Sequence, residues 1–256
     1  MTKKIKYISG FLIVAAAGYY FINEFIKNYD SIARFEFNIK WSYLLFAQFV
    51  LIAVSLVGTY SWKYLLEILI PQKITFRESI AVVNTSQLTK YLPGKIWSYA
   101  LQMLLLSERG VSKTIVLYIN LFLMLTSIFA SAFLGLLYFA SFNSQIWIIL
   151  FVIVVIAYLI FIFFNKLVLK QAIKVTGKLF KIDIDYNPVK TRQVLLFQFL
   201  YLLINIIFGL TGYLMALGLG FPVSFNNAIA ISASLIIADI IGFVVLVAPG
   251  GVGVRE

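Results

Sequence analysis

Residues 142–164 read FNSQIWIILFVIVVIAYLIFIFF, an unbroken run without a charged side chain. A soluble amphipathic helix shows water a polar stripe, so its apolar residues recur every three or four positions. Here they fill every face. A helix of about 20 such residues crosses the ~30 Å hydrocarbon layer of a bilayer. Residues 194–224 form a second charge-free run. The fold class that follows is all-α and polytopic.

Working outward, the spacing of apolar runs predicts six spans, at about 5–23, 41–62, 114–140, 145–165, 192–217 and 226–247. Trp41 and Trp62 lie ~30 Å apart on a helix, so they read as the two interfacial anchors of one span. The first run follows Lys3, Lys4 and Lys6. No small-residue cleavage site follows it, so a retained span is expected rather than a signal peptide.

Composition agrees. Hydrophobic residues make up 62% of the 256 positions and charged residues 12%, against about 45–50% and 25% in soluble domains. Cysteine and histidine are absent, which removes disulfides, thiolate nucleophiles, histidine triads and the commonest zinc ligands. No metal and no cofactor is expected. The net charge of +11 sits at the ends of apolar runs, where it reads as a topology signal and a contact to anionic lipid, not to nucleic acid. Lys166, Lys170, Lys174, Lys178, Lys181, Lys190 and Arg192 fall in the expected loop after the fourth span, whereas 141–144 and 218–227 carry no charge. The basic loop is therefore predicted to be cytoplasmic. Counting back places the N-terminus inside, in a multi-pass protein of the cell membrane.

The stretch 71–113 fits no simple span. Two apolar pieces, each about half a membrane long, flank Pro93-Gly94, where proline removes a donor and glycine favours a turn. A hairpin that enters and leaves on one side is the favoured reading, because irregular backbone survives at depth only beside protein or a wet cavity. An amphipathic hairpin on the cytoplasmic surface is the alternative. Ser79, Asn84, Ser86 and Gln87 are read as its polar face, with Ser79, Ser86 and Lys90 in helical register. The hexapeptide at 76–81, FRESIA, also resembles FNNAIA at 225–230. Each precedes a helical run that ends at a Pro-Gly pair, the second being Pro249-Gly250. An odd number of spans separates them, so the pair is either an inverted repeat, as in transporters, or chance similarity between apolar segments.

Three groups of residues can carry chemistry. Lys90 and Lys95 bracket the Pro93-Gly94 break, whose exposed N–H groups together with two ammoniums can hold a phosphate; alternatively, both lysines snorkel to the interface. Residues 249–256, PGGVGVRE, place Gly250, Gly251 and Gly253 beside Arg255, a bidentate phosphate ligand. The order fits neither a dinucleotide fingerprint nor a P-loop, and a plain helix–helix turn is the alternative. Asp239 is the one acid in the last span, where it costs about 2.5–3.5 kcal/mol at the bilayer centre. It is expected to meet a polar cavity or a cation such as Lys90, Lys95 or Arg255, or to serve a structural ion pair. Asn120, Gln198 and Asn205 are read as interhelical hydrogen-bonding residues.

The two motifs, YLPGKIW at 91–97 and PGGVGVRE at 249–256, in this order and hydropathy setting, resemble the transmembrane region of lysylphosphatidylglycerol synthases, the flippase-like membrane protein family. The resemblance covers nearly the whole chain, 1–256, as one membrane domain with 71–113 as a re-entrant or amphipathic segment. It implies that the protein binds and translocates a glyco- or aminoacyl-phospholipid between leaflets. Its headgroup residues would be Lys90, Lys95, Asp239, Arg255 and Glu256, and it would perform no covalent chemistry. Members sit beside separate lipid-modifying enzymes or glycosyltransferases, which makes such an enzyme a candidate partner. No soluble aminoacyl-transferase domain is expected within these 256 residues, and family members continue past the second motif, so a C-terminally truncated sequence is expected. Two alternatives stay open. One is a membrane-embedded transferase acting on a lipid-linked donor, with Asp239 or Glu256 as base. The other is a non-transporting scaffold.

Overall fold

The structure, a computed structural model, describes residues 19, 22–23, 26, 29, 38–91, 97–141, 144–180 and 188–244, with backbone alone at 90–91, 178–180, 225 and 243–244. Every regular element among them is helical. In chain order they are α1 (Trp41–Leu69), α2 (Phe76–Gln87), a 3-10 turn (Leu88–Tyr91), α3 (Trp97–Ser107), α4 (Lys113–Ala140), α5 (Gln145–Phe180), α6 (Thr191–Gly218) and α7 (Phe225–Val244). Trp41–Leu69, Lys113–Ala140, Gln145–Gly177 and Thr191–Gly218 are long and apolar enough to cross a membrane. This is a multi-pass α-helical membrane protein. The apolar part of α7, Asn226–Gly242, is shorter. The span expected at 5–23 lies outside the described residues apart from Tyr19, Ile22 and Asn23, which are helical.

The outside of the bundle is what lipid requires. Ile146, Ile149, Ile153, Ile156 and Ile160 form one row along α5, each between 47% and 68% exposed. In water such a row would be a severe liability; against acyl chains it costs nothing. The inside is organised on α4, which packs against α1, α3, α5, α6 and α7. Tyr118, Phe122, Phe161 and Phe197 are its buried rings, with Phe122 edge-on to Phe197 at 5.4 Å.

The helix ends sort into two sets. At one end Lys40 N–H donates to the Gly218 carbonyl at 2.8 Å, joining the start of α1 to the end of α6. At the other, basic end, Val189 N–H donates to the Tyr118 hydroxyl at 3.0 Å, joining the approach to α6 to the first turns of α4. The two FxxxIA copies start α2 at the basic end and α7 at the opposite end. Each follows a hydroxyl cap: Thr75 accepts from Glu78 N–H, and Ser224 accepts from Asn227 N–H.

Three expectations need correction. Trp62 is not an interfacial anchor: it is 4% exposed in the core, its indole N–H has no acceptor among the described residues, and α1 runs two turns past it. The lysine-rich stretch from Lys166 is not a loop, since α5 carries it as helix to Phe180; lysine is a good helix former, and nothing between 165 and 180 breaks the helix. Ser79, Asn84, Ser86 and Gln87 do not form one polar face. Ser79 and Ser86 are buried while Asn84 and Gln87 are exposed, because at 100° per residue positions 84 and 86 point to nearly opposite sides.

The hairpin α2–α3 is antiparallel and closed at the basic end. Glu78, three residues into α2, forms an ion pair with Arg109, just past α3. The Arg109 guanidinium, together with the Thr75 backbone and hydroxyl, holds the Glu78 carboxyl below the usual carboxylate range. A depressed carboxylate stabilises above its unfolded pKa, and the contribution is lost as pH falls through the folded value. Spin labels at Arg77→Cys and Glu108→Cys should therefore report a narrow distance distribution at neutral pH that broadens only below about pH 4, the ordinary glutamate value. With Glu78→Gln added, it should be broad at every pH. A narrow distribution in that variant would show that the pair does not close the hairpin.

Candidate functional site

Polar side chains in the interior follow α4. Nearest the basic end, Asn120 Nδ2 donates to Gln102 Oε1 at 2.7 Å, and Gln102 Nε2 donates to Ser86 Oγ at 2.9 Å. Ser86 in turn donates to the Val83 carbonyl. All three residues are at least nine-tenths buried. This relay ties both arms of the hairpin to α4 where lipid and protein offer no other partner, so each bond is expensive to leave unmade.

One turn deeper, the Tyr99 hydroxyl donates to Met124 Sδ at 3.5 Å. Arg109, Gln102 and Tyr99 thus meet partners progressively further into the bundle. The end of α3 next to the break lies level with Met124, which is ~16 Å along α4 from Lys113 at 1.5 Å per residue.

Met124 also lines a small, partly open cavity of ≈ 60 Å³ with Ser127, Ile128, Ser131, Asp239 and Ile240. Ser127 is ~21 Å from the start of α4 and ~20 Å from its end, so the cavity sits at mid-depth. Ser131 Oγ donates to Asn205 Oδ1 at 2.6 Å, and Asn205 Nδ2 donates to the Tyr201 carbonyl at 2.7 Å. Beside them, Gln198 Nε2 reaches Thr126 Oγ1 at 3.5 Å. The buried Gln198 Oε1 has no partner among the described residues. Asn120, Gln198 and Asn205 do bond between helices, as expected.

Close packing puts Asp239 here. A Cβ on Gly135 would fall 2.4 Å from Ile237, and one on Gly209 would fall 3.0 Å from Ser232 Cβ. Ser127, Ser131 and Gly135 repeat every four residues, the small-residue spacing that lets helices approach in lipid. That spacing was the available sequence signal for the serines of this site, and it passes unnoticed in a run where every face is apolar or small.

Of the headgroup, break and hairpin-face residues proposed from sequence, the side chains of Asp239, Ser79, Asn84, Ser86 and Gln87 are described. Ser86 joins the relay and Asp239 the cavity. Ser79 donates to the Thr75 carbonyl and belongs to neither. Lys90 lies in the 3-10 turn, its side chain outside the described set, and Pro93, Gly94, Lys95, Pro249, Gly250, Gly251, Gly253, Arg255 and Glu256 are also outside it. No group of three or more acids that could hold a metal occurs among the described residues.

A family model described as "Lysylphosphatidylglycerol synthase TM region" matches residues 7–256. No curated protein and no solved structure matches the chain.

Proposed function

The chain belongs to the lysylphosphatidylglycerol synthase TM region family, membrane proteins related to lipid handling, and from that premise we propose that it translocates an aminoacyl- or glyco-phospholipid between leaflets. One observation carries the reading: the hairpin runs inward beside α4 until Tyr99 touches Met124, a residue that also lines the Asp239 cavity. Lys95 stands two residues before Trp97, the start of α3, and Lys90 two residues after Leu88. On this reading the lysines reach the depth of Asp239. Lys90, Lys95 and Arg255 hold the lipid phosphate, and Asp239 with Glu256 balances their charge. Buried like charges repel, and each must find a partner. An acid beside cations also suits a headgroup that carries both signs.

A cavity of ≈ 60 Å³ holds a few waters rather than a phospholipid headgroup. Passage on this reading therefore requires α7 to move off α4, opening a polar path that a headgroup cannot find in hydrocarbon. On this reading the basic end is the cytoplasmic one, supported by the distribution of lysine and arginine, with the N-terminus inside and the protein in the cell membrane. A separate lipid-modifying enzyme or glycosyltransferase supplies the substrate.

The test uses the full-length protein in liposomes with a fluorescent phospholipid, its leaflet read by a membrane-impermeant quencher. Lys95→Gln and Arg255→Gln should each slow exchange by about tenfold or more, the scale of one lost charge-assisted hydrogen bond of about 1.5–3 kcal/mol. Exchange at the parental rate in both variants would overturn the phosphate site.

A further inference from the structure

α5 outlasts the bilayer. Its 36 residues span ~54 Å, against ~30 Å of hydrocarbon. At Phe164 the backbone leaves helical geometry, with φ −113° and ψ 25°, and the helix then resumes to Phe180. Asn165, 4% exposed, donates its amide N–H to the Ile162 carbonyl at 3.1 Å and so satisfies a backbone group at the kink.

The arm beyond the kink has two faces. Leu169 and Ile173 are buried in the same core cluster as Val189. One position further round the helix, about 100° from that buried row, Lys166, Lys170 and Lys174 are exposed, four residues apart, making a ladder of ammoniums ~6 Å from one to the next. Near them stand Phe163, just before the kink, and Leu167 and Val175 beyond it, 67%, 57% and 69% exposed. Like charges at this spacing destabilise a helix. The ion pairs described are Lys63–Glu67 and Glu78–Arg109, so no described acid answers these lysines. Asp183 and Asp185 follow in sequence, outside the described residues. Bare lysines beside exposed apolar side chains suit neither bulk water nor hydrocarbon. They suit the boundary, where stems and apolar groups lie in the acyl edge and ammoniums reach the phosphates.

We propose that this arm of α5 is a docking surface for anionic phospholipid, with Lys166, Lys170 and Lys174 on the phosphates and Phe163, Leu167 and Val175 in the acyl boundary. Charge complementarity selects the occupant, since three cations in a row, with no acid paired to them among the described residues, favour an anionic over a zwitterionic lipid. The surface would concentrate such lipids beside the bundle. It uses none of the residues assigned above to the headgroup path.

The chain lacks cysteine, so Gln171→Cys, on the exposed side of the arm, can carry a single fluorophore in the full-length protein. Vesicles of phosphatidylcholine would contain a nitroxide-labelled quencher lipid, either phosphatidylglycerol or phosphatidylcholine, labelled near the top of the acyl chain. Half-quenching should need at least about fivefold less of the phosphatidylglycerol form, the contribution of a single lysine near the surface. The preference should shrink in high salt. It should vanish with Lys166→Gln, Lys170→Gln and Lys174→Gln combined, and persist when the same three become arginine. Lys95→Gln should leave it unchanged, which separates this surface from the translocation site. Equal quenching by both lipids in the parent, or a preference that survives the triple glutamine variant, would overturn the proposal.

Discussion

Asp239→Asn should leave the protein folded while slowing lipid exchange by about tenfold or more, the scale of one lost charge-assisted contact. Exchange should fall because the cations proposed to hold the phosphate lose their internal counter-charge. Two effects on stability oppose each other. A carboxylate at mid-depth costs about 2.5–3.5 kcal/mol on insertion scales, and its neutral isostere still offers hydrogen bonds to hydroxyls such as Ser127 and Ser131, which share its cavity. That saving offsets the lost attraction to the cations, so the transition temperature should stay within about 4 °C of the parent, roughly 1 kcal/mol in a chain of this size. If Asp239 served only a structural ion pair, the variant would strand a buried cation and destabilise by about 3–5 kcal/mol. Thermal unfolding followed by tryptophan fluorescence, with the liposome assay beside it, separates the cases. A lower transition temperature with parental exchange would make Asp239 structural and remove it from the transport mechanism.

Gly220→Val should lower thermal stability by about 3 kcal/mol or more, the combined scale of a left-handed backbone with a side chain and an overpacked contact. Gly220 has φ +85°, and a Cβ there would lie 2.8 Å from the Asn38 carbonyl oxygen and 3.1 Å from Asn38 N. The obstacle is backbone, which cannot rotate away. The neighbouring Gly218 is as tight, its Cβ position 2.5 Å from Leu44, and its carbonyl takes the Lys40 hydrogen bond. The turn after α6 therefore has no slack against the start of α1. Gly58→Ala provides the control: nothing lies within 4 Å of its Cβ position, and alanine in a helix interior gains about 0.5–1 kcal/mol over glycine. Both are read by the same thermal unfolding measurement. A Gly220→Val protein that melts with the parent would mean that α1 and α6 do not meet at this turn.

Length and charge could be read from the chain alone because the bilayer imposes them. A span must be about 20 residues long and nearly free of charge, so 114–140, 145–165 and 192–217 emerged close to the helical bounds of α4, α6 and the membrane part of α5. Two short helices in 71–113 were legible for a similar reason, since proline and glycine act locally on the backbone: α2 and α3 are described on either side, while Pro93-Gly94 itself lies outside the described residues. Asp239 stood out because an acid in hydrocarbon is costly anywhere.

What remained hidden was rotation: which side of each helix turns inward. In water the core-facing stripe is apolar and the outer face polar, and the sequence shows the contrast. In lipid both faces are apolar, so the contrast disappears. Nothing in the run around Trp62 says that its ring enters the core rather than the interface. Around Ser127 and Ser131 only their four-residue spacing with Gly135 marks a packed face, and it does not say that Asp239 is what they meet. The relay through Ser86, Gln102 and Asn120 joins three helices, and the cavity joins α4 to α7 across more than 100 positions of chain. The places of three long spans, 114–140, 145–165 and 192–217, and the expensive residues thus followed from the sequence meeting the bilayer. Helix rotation, and with it the partners of Asp239, was decided only by tertiary packing, where Gly135 and Gly209 allow α7 to close on its neighbours.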